Sequence, residues 1–118
     1  IKAVGFGIPG IFNLREQKIY QSPNYSDLDG FDLRPASAHH IEAPFWIDND
    51  ANIAAYGEYR CGSGKGVSHL LLLTLGTGVG SGIIIDGELL HGSCGFAAEM
   101  GHIVVHPDGE RCNCGSRR

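Results

Sequence analysis

Four groups of residues in this chain are of types that do chemistry. Asp48, Asn49 and Asp50 put two carboxylates and a carboxamide side by side, and Asn52 follows. Carboxylates take protons or accept hydrogen bonds from hydroxyl groups, and carboxamides both donate and accept. Glu99 and His102 are separated by Met100 and Gly101, and such a carboxylate and imidazole can read the hydroxyls of one ligand. Cys112 and Cys114 flank a single residue, with His102 and His106 upstream. Nitrogen and sulfur donors of this kind suit zinc, which takes four of them in a tetrahedral structural site. His102, Cys112 and Cys114 supply three, and His106 or a cysteine beyond Arg118 would be the fourth; a reduced thiol pair is the plainer alternative. If zinc holds one ring nitrogen of His102, the other is left for a substrate. The fourth group is Gly76, Gly78, Gly80 and Gly82, at alternate positions around Thr77. A turn bare of side chains exposes N–H donors, which is how backbone holds phosphate oxygens, and Thr77 adds a hydroxyl. A hairpin without a ligand accounts for the same glycines. The pattern is neither a P-loop nor a dinucleotide fingerprint, because GxxxxGK[ST] is absent and strand rather than helix follows.

These groups need elements to position them. Leu70 to Leu75 reads as a strand buried on both faces, broken by the glycines into a tight turn. The β-branched run Ile83 to Ile85 predicts the returning strand, with Asp86-Gly87 opening the next turn. Pro44 to Ile47 predicts a short buried strand running into the acidic cluster. A helix is expected over Ile53 to Arg60, with apolar positions at Ile53, Ala54, Tyr56 and Gly57. Asn49 or Asp50 would cap it, and capping alone would explain part of the cluster. The remaining polar residues sit where a strand ends and a helix begins, the place where open α/β sheets bind ligands. Upstream, Ile1 to Ile8 reads as a strand ended by Pro9-Gly10, where the glycine either lets backbone approach a ligand or simply turns. Ile11 to Leu14 and Lys18 to Gln21 predict a hairpin, Ser22 to Gly30 a loop, and Asp32 to His40 a short helix with surface histidines at His39 and His40. Cys61 to Gly66 reads as a flexible connection. After the central hairpin come a short strand at Glu88 to Leu90, a turn at His91 to Gly95 and one helical turn at Phe96 to Met100. A strand at Ile103 to Val105 and a turn at Pro107 to Arg111 complete the pattern.

The whole-chain properties narrow the classes. The 118 residues suffice for one modest domain, and a formal net charge of −4 does not suggest a nucleic-acid partner. No apolar stretch reaches the length of a membrane span and no secretory leader is visible, so a soluble, cytoplasmic protein is expected. The 18 glycines are dispersed, which predicts many tight turns. Of the four cysteines, Cys112 and Cys114 lie near histidines, which favours metal over disulfide in a cytoplasmic chain; Cys61 and Cys94 are expected to be small buried hydrophobes. The chain opens inside a strand without a Met and stops after an incomplete cysteine cluster, as expected of part of a longer protein.

The run LTLGTGVGSGIIIDGELLHGSCGFAAEMGH, followed by CNCG, resembles the ROK (repressor, open reading frame, kinase) family of bacterial sugar kinases and sugar-sensing repressors. The likeness extends back through IDNDANIAAYGE to GFGIPG and so covers nearly the whole chain. It implies an α/β, actin-like ATPase (ribonuclease H-like) fold, two lobes with ATP and sugar between them. Residues 1–62 would be the end of the first lobe and residues 63–118 the start of the second. It implies that Asp50 is the catalytic base, taking the proton from a hexose primary hydroxyl as that oxygen attacks the γ-phosphorus of ATP. Asn49, Glu99 and His102 would bind the same sugar, Gly10 would back it, and Asn24 would reach it. Gly76, Thr77, Gly78 and Gly80 would line the phosphates, with Mg2+ accompanying ATP. His102, Cys112 and Cys114 would ligate Zn2+. A homodimer is the family expectation.

The chain also departs from the family pattern. Ala98 and Ser81 stand where glycine is usual, Asp48 where Glu is common, and Arg118 at the last Gly of CxCGxxGC. The N-terminal phosphate loop, a later sugar-binding Glu and the adenine-binding region are not among these residues, so the resemblance assigns activity to a full-length protein. Glucose or an N-acetylhexosamine is the acceptor it suggests. The alternative is a sugar-responsive repressor carrying a DNA-binding helix-turn-helix upstream; an intact NDAN base and LGTGVG loop favour the kinase. A zinc-stabilised binding module would leave Asp50 and the glycine loop unexplained.

Overall fold

The computed structural model describes residues 1–118 except 23, 24, 34, 36–39, 113 and 118. Its described strands form three small sheets. β1 (Val4–Ile8) pairs in parallel with β4 (Phe45–Asn49), with Val4 opposite Phe45 and Ile8 opposite Asn49. β2 (Ile11–Asn13) and β3 (Lys18–Gln21) form the expected hairpin. Its turn is set by the Asn13 side chain, whose Oδ1 accepts the Arg15 and Glu16 amides at 2.9 and 3.2 Å. Ile8, Phe12, Ile19 and Ile47, one from each of these strands, make the apolar core. The expected helix from Asp32 to His40 falls largely on residues outside the described set, as does His39; His40 is exposed.

The third sheet is antiparallel and consists of β5 (Leu70–Leu75), β6 (Val79–Ile85) and β7 (Glu88–Leu89). The β5–β6 turn closes with a Gly76 N–H to Gly78 carbonyl bond of 3.0 Å. The β6–β7 turn is Asp86-Gly87, with φ of 51° and 86°, the left-handed pair that a two-residue hairpin turn requires. β5 is not buried on both faces as its sequence suggests. Leu71, Leu73 and Leu75 are 51, 50 and 80 % exposed, because a single helix covers only the opposite face of the sheet.

That helix, α1 (Asp50–Cys61), begins three residues earlier than the apolar pattern predicts and presents a different face. Its buried residues are Ala51, Asn52 and Ala55, whereas Ile53, Ala54, Tyr56 and Gly57 are exposed. The reason lies in the opposing strand. A Cβ built on Gly82 would stand 2.5 Å from the Ala55 Cβ and 2.8 Å from the Ala51 carbonyl oxygen. The helix therefore lies nearly backbone-to-backbone on β6, and only small side chains fit between. After α1 the chain is a hydrogen-bonded turn rather than a loose connection, with Gly62 and Gly64 both donating to the Glu58 carbonyl oxygen at 3.0 Å.

Three further expectations fail. Ile103 to Val105 is not a strand: among the described residues it has no partner strand, and the three side chains are 51, 50 and 81 % exposed. The helical turn expected at Phe96 to Met100 is instead a 3-10 turn at Met100–His102. Cys61 is exposed and Cys94 half-buried, since neither faces a core; none of the four cysteines forms a disulfide. Among the described residues, no helix is long and apolar enough to cross a membrane.

Candidate active site

The β4–α1 junction is built from its own side chains. Asn49 is the helix cap, its Oδ1 accepting the Ala51 and Asn52 amides at 2.9 and 3.2 Å. With capping assigned to Asn49, Asp50 stands at the first helical position and is exposed. One of its carboxylate oxygens accepts the Ala51 amide at 2.9 Å. An acid there also faces the positive end of the helix dipole. The parallel register sets Ile8 opposite Asn49, and this carries Pro9-Gly10 to the same place. Gly10 has φ of 103°, and its carbonyl oxygen accepts a hydrogen bond from the Asn49 side-chain amide at 3.3 Å. Gly7 on β1 leaves room for Asp50: a Cβ there would stand 3.3 Å from the Asp50 Cα.

Asp48 is held from three sides. Its Oδ1 accepts the Asn49 amide at 2.7 Å and the Asn52 side-chain amide at 3.0 Å, and its Oδ2 lies 2.6 Å from His91 Nε2. Asn52 is buried, and among the described residues its Oδ1 has no hydrogen-bond partner. The His91 contact ties the junction to the segment after β7. That segment also docks on the first hairpin, through a Leu14 N–H to Cys94 carbonyl bond of 3.1 Å and a Tyr20–Phe96 ring contact at 5.7 Å. Sequence reasoning missed His91, because no local spacing relates it to an acid 43 residues earlier.

Glu99 and His102 follow on the 3-10 turn, with Glu99 Oε2 and His102 Nε2 at 3.8 Å. Burial pushes the Glu99 carboxyl above the ordinary carboxylate range, His102 pulls the other way, and the charge of Asp50 adds to the rise. Asp50 and Glu99 thus share one electrostatic neighbourhood although they come from different ends of the chain. The turn rests on β6, where Gly101 lies so close to the Val79 carbonyl oxygen that no Cβ would fit.

The other ring nitrogen of His102 faces the cysteines. His102 Nδ1 is 3.9 Å from Cys112 Sγ, and the ligand atoms of His102, Cys112 and Cys114 all lie within 4.8 Å of one another. The Cys114 thiol is drawn down to about 6, first by Ser116 and then by Cys112 and His102. A thiol that ionises readily beside an imidazole and a second sulfur has the donor chemistry that zinc selects. His106, the other candidate fourth donor, is outside this group of described ligands.

The glycines of the central hairpin divide. Added side chains at Gly76 and Gly78 would meet nothing within 4 Å, so the tip around Thr77 is open. Gly80 and Gly82 are packed, with a Cβ at Gly80 falling 2.5 Å from Thr74 Oγ1 and 3.3 Å from the Ala51 Cβ. Gly80 nevertheless brings the hairpin against the residue that follows Asp50. Of the residues expected at the site, Gly10, Asn49 and Asp50 come together at the junction and the hairpin adjoins it; Glu99 is near enough to feel the charge of Asp50, and His102 stands beside Glu99. Asn24 lies outside the described residues.

The ROK family profile matches residues 1–118. The chain belongs to the ROK family. A glucokinase of Halalkalibacterium halodurans is 46 % identical over 113 residues, which are 95 % of this chain and 34 % of that protein. A ROK family glucokinase from Streptomyces griseus, solved in complex with glucose and AMPPNP, superposes with a TM-score of 0.88 at 43 % identity, covering 99 % of this chain and 37 % of the other. The xylose repressor of Bacillus subtilis is 36 % identical over 114 residues, 97 % of this chain and 29 % of the repressor. The ROK chain described here therefore spans about a third of the length of the relatives it matches. Its fold is the actin-like ATPase fold of the ROK sugar kinases, of which these residues form a part.

Proposed function

We propose that the full-length ROK protein containing this chain is an ATP-dependent hexose kinase that phosphorylates the primary hydroxyl of glucose or an N-acetylhexosamine. The observation that carries this reading is Asp50 at the head of α1 beside a glycine hairpin with an open tip, with Glu99 near enough to feel its charge. The likeness to a glucokinase solved with glucose and an ATP analogue supports it. Residues 1–62 would belong to one lobe and residues 63–118 to the other, with α1 and the hairpin meeting where the ligands react.

In this mechanism Asn49 and Glu99 accept and donate to sugar hydroxyls, His102 adds its Nε2, and Gly10 backs the ring. Asp50 takes the proton of the primary hydroxyl, and the freed oxygen forms its bond to the γ-phosphorus as the bond to the β-phosphate oxygen breaks and ADP leaves. Phosphoryl transfer asks for positioning and charge stabilisation more than covalent help, which suits one carboxylate and a donor-rich turn. Gly76, Thr77, Gly78 and the backbone at Gly80 would hold phosphate oxygens. Mg2+ bound with ATP would offset phosphate charge. His102, Cys112 and Cys114 fit three positions of a zinc site whose role is structural: holding His102 through Nδ1 leaves Nε2 for the sugar. A cytoplasmic homodimer completes the reading.

A coupled ADP-release assay on the full-length protein tests it, using ATP, Mg2+ and a panel of glucose, fructose, mannose, N-acetylglucosamine and N-acetylmannosamine. ADP release with one sugar establishes the kinase and its acceptor together. The second reading, a sugar-responsive repressor, is favoured by the likeness to the xylose repressor. Sugar binding by calorimetry with no ADP release would select it.

A further inference from the structure

We propose that Ser81 is a positioning residue that fastens the Glu99 turn to the phosphate hairpin and so couples nucleotide binding to sugar binding. The proposal rests on the kinase reading for the identity of the two ligands; the fastening itself rests on geometry. Glu99 has φ −79° and ψ 56°, close to the inverse γ-turn, and the Met100 N–H closes that turn on the Ala98 carbonyl oxygen at 2.9 Å. Ser81 is buried on β6, and its hydroxyl engages both ends of the same turn. It donates to the Ala98 carbonyl oxygen and accepts the Met100 N–H at 3.0 Å. One hydroxyl thus brackets the residue whose carboxylate faces Asp50.

The turn needs such a fastening. Ala98 holds φ of 68°, a left-handed conformation that a residue with a Cβ keeps only where its surroundings fix it. Its neighbours Glu99 and Met100 are only partly buried, so little packing does the fixing. Ser81 and Ala98 are therefore in contact, Ala98 in the left-handed conformation and Ser81 bonded to it. Two residues before Ser81, Val79 receives Gly101 against its carbonyl oxygen and pairs with Leu75 at the mouth of the Gly76–Gly78 tip. Phosphates that order the tip consequently act on the strand that carries Ser81, and through it on Glu99. Coupling of this kind is reciprocal: nucleotide tightens sugar by the factor that sugar tightens nucleotide.

The experiment uses the full-length protein and its Ser81→Ala variant, which loses one oxygen atom. Glucose affinity is measured by calorimetry with and without AMPPNP and Mg2+, and amide hydrogen exchange at Met100 is followed without ligands. In the wild-type protein the analogue should tighten glucose about 5-fold or more. In the variant that ratio should fall towards one, and Met100 exchange should accelerate. A variant that phosphorylates glucose with the wild-type coupling ratio overturns the role of Ser81 and leaves the kinase reading intact. Unchanged Met100 exchange overturns the fastening. A wild-type protein that binds neither glucose nor any other sugar of the panel overturns the kinase reading and the coupling, while accelerated exchange in the variant still supports the fastening.

Discussion

The β4–α1 junction and the segment that begins at Glu99 are held by different means. At the junction Asn49 caps the helix, Asp48 is bonded from three sides, and α1 seats Ala51 and Ala55 directly on Gly80 and Gly82 of β6. Position there is fixed by backbone geometry. The later segment has one 3-10 turn, an exposed run at Ile103 to Val105, and a His-Cys-Cys group at its far end. Its order depends on a few point contacts and on what its ligand atoms hold. The difference teaches that the proposed base is placed by the fold, whereas the proposed sugar-reading histidine needs a second device.

The largest effect should come from the rigid side. In the full-length protein Asp50→Asn keeps the side chain's shape and removes its basicity, so kcat should fall about 10²- to 10⁴-fold while sugar affinity by calorimetry stays within a few fold. Turnover at the wild-type rate would refute the base. On the loose side, Cys112→Ser should remove zinc, read by metal analysis, and weaken sugar binding about 10- to 100-fold through a freed His102. Zinc content equal to wild type would sink that ligand set. A third substitution probes how rigid the junction is. Gly82→Ala forces a methyl between Ala55 and the Ala51 carbonyl and should cost about 1–3 kcal/mol in urea unfolding. Gly76→Ala at the open tip should leave stability nearly unchanged, and equal losses at both sites would break the contrast.

The smallest effect concerns Glu99. Its carboxyl is raised by burial, so the folded chain keeps that proton to higher pH than the unfolded chain does. Stability from the neutral form is therefore present at acid pH and declines as pH rises from the ordinary carboxyl range through the raised folded value. Glu99→Gln should flatten that decline, seen as a smaller difference between urea midpoints at about pH 4 and about pH 7. An unchanged difference would place the pH dependence elsewhere.

The central hairpin and β4 were legible in the sequence because their apolar runs break sharply into turn residues. The helix was legible as a helix but not by its face. Large apolar residues normally mark the buried side, and here Ala51, Asn52 and Ala55 are buried because the opposing strand presents Gly80 and Gly82. Those glycines read equally well as ligand space; only the neighbouring helix separates Gly80 and Gly82 from the open Gly76 and Gly78. The strand at Ile103 to Val105 failed because β-branched residues favour a strand only where a partner exists. The meeting of Asp48 with His91 depends on tertiary placement that no sequence period encodes.

The glycine seat under α1 also works as a gear. A slip of the helix by one residue, about 1.5 Å along its axis, turns it by roughly a quarter of a revolution. That would swing Ile53 or Tyr56 towards a gap that admits only a methyl. In that direction the close seat of Ala51 and Ala55 on Gly80 and Gly82 opposes the slip and keeps α1 in register with β6. The register of the helix therefore sets where the carboxylate at its head stands relative to the strand that leads from the open tip.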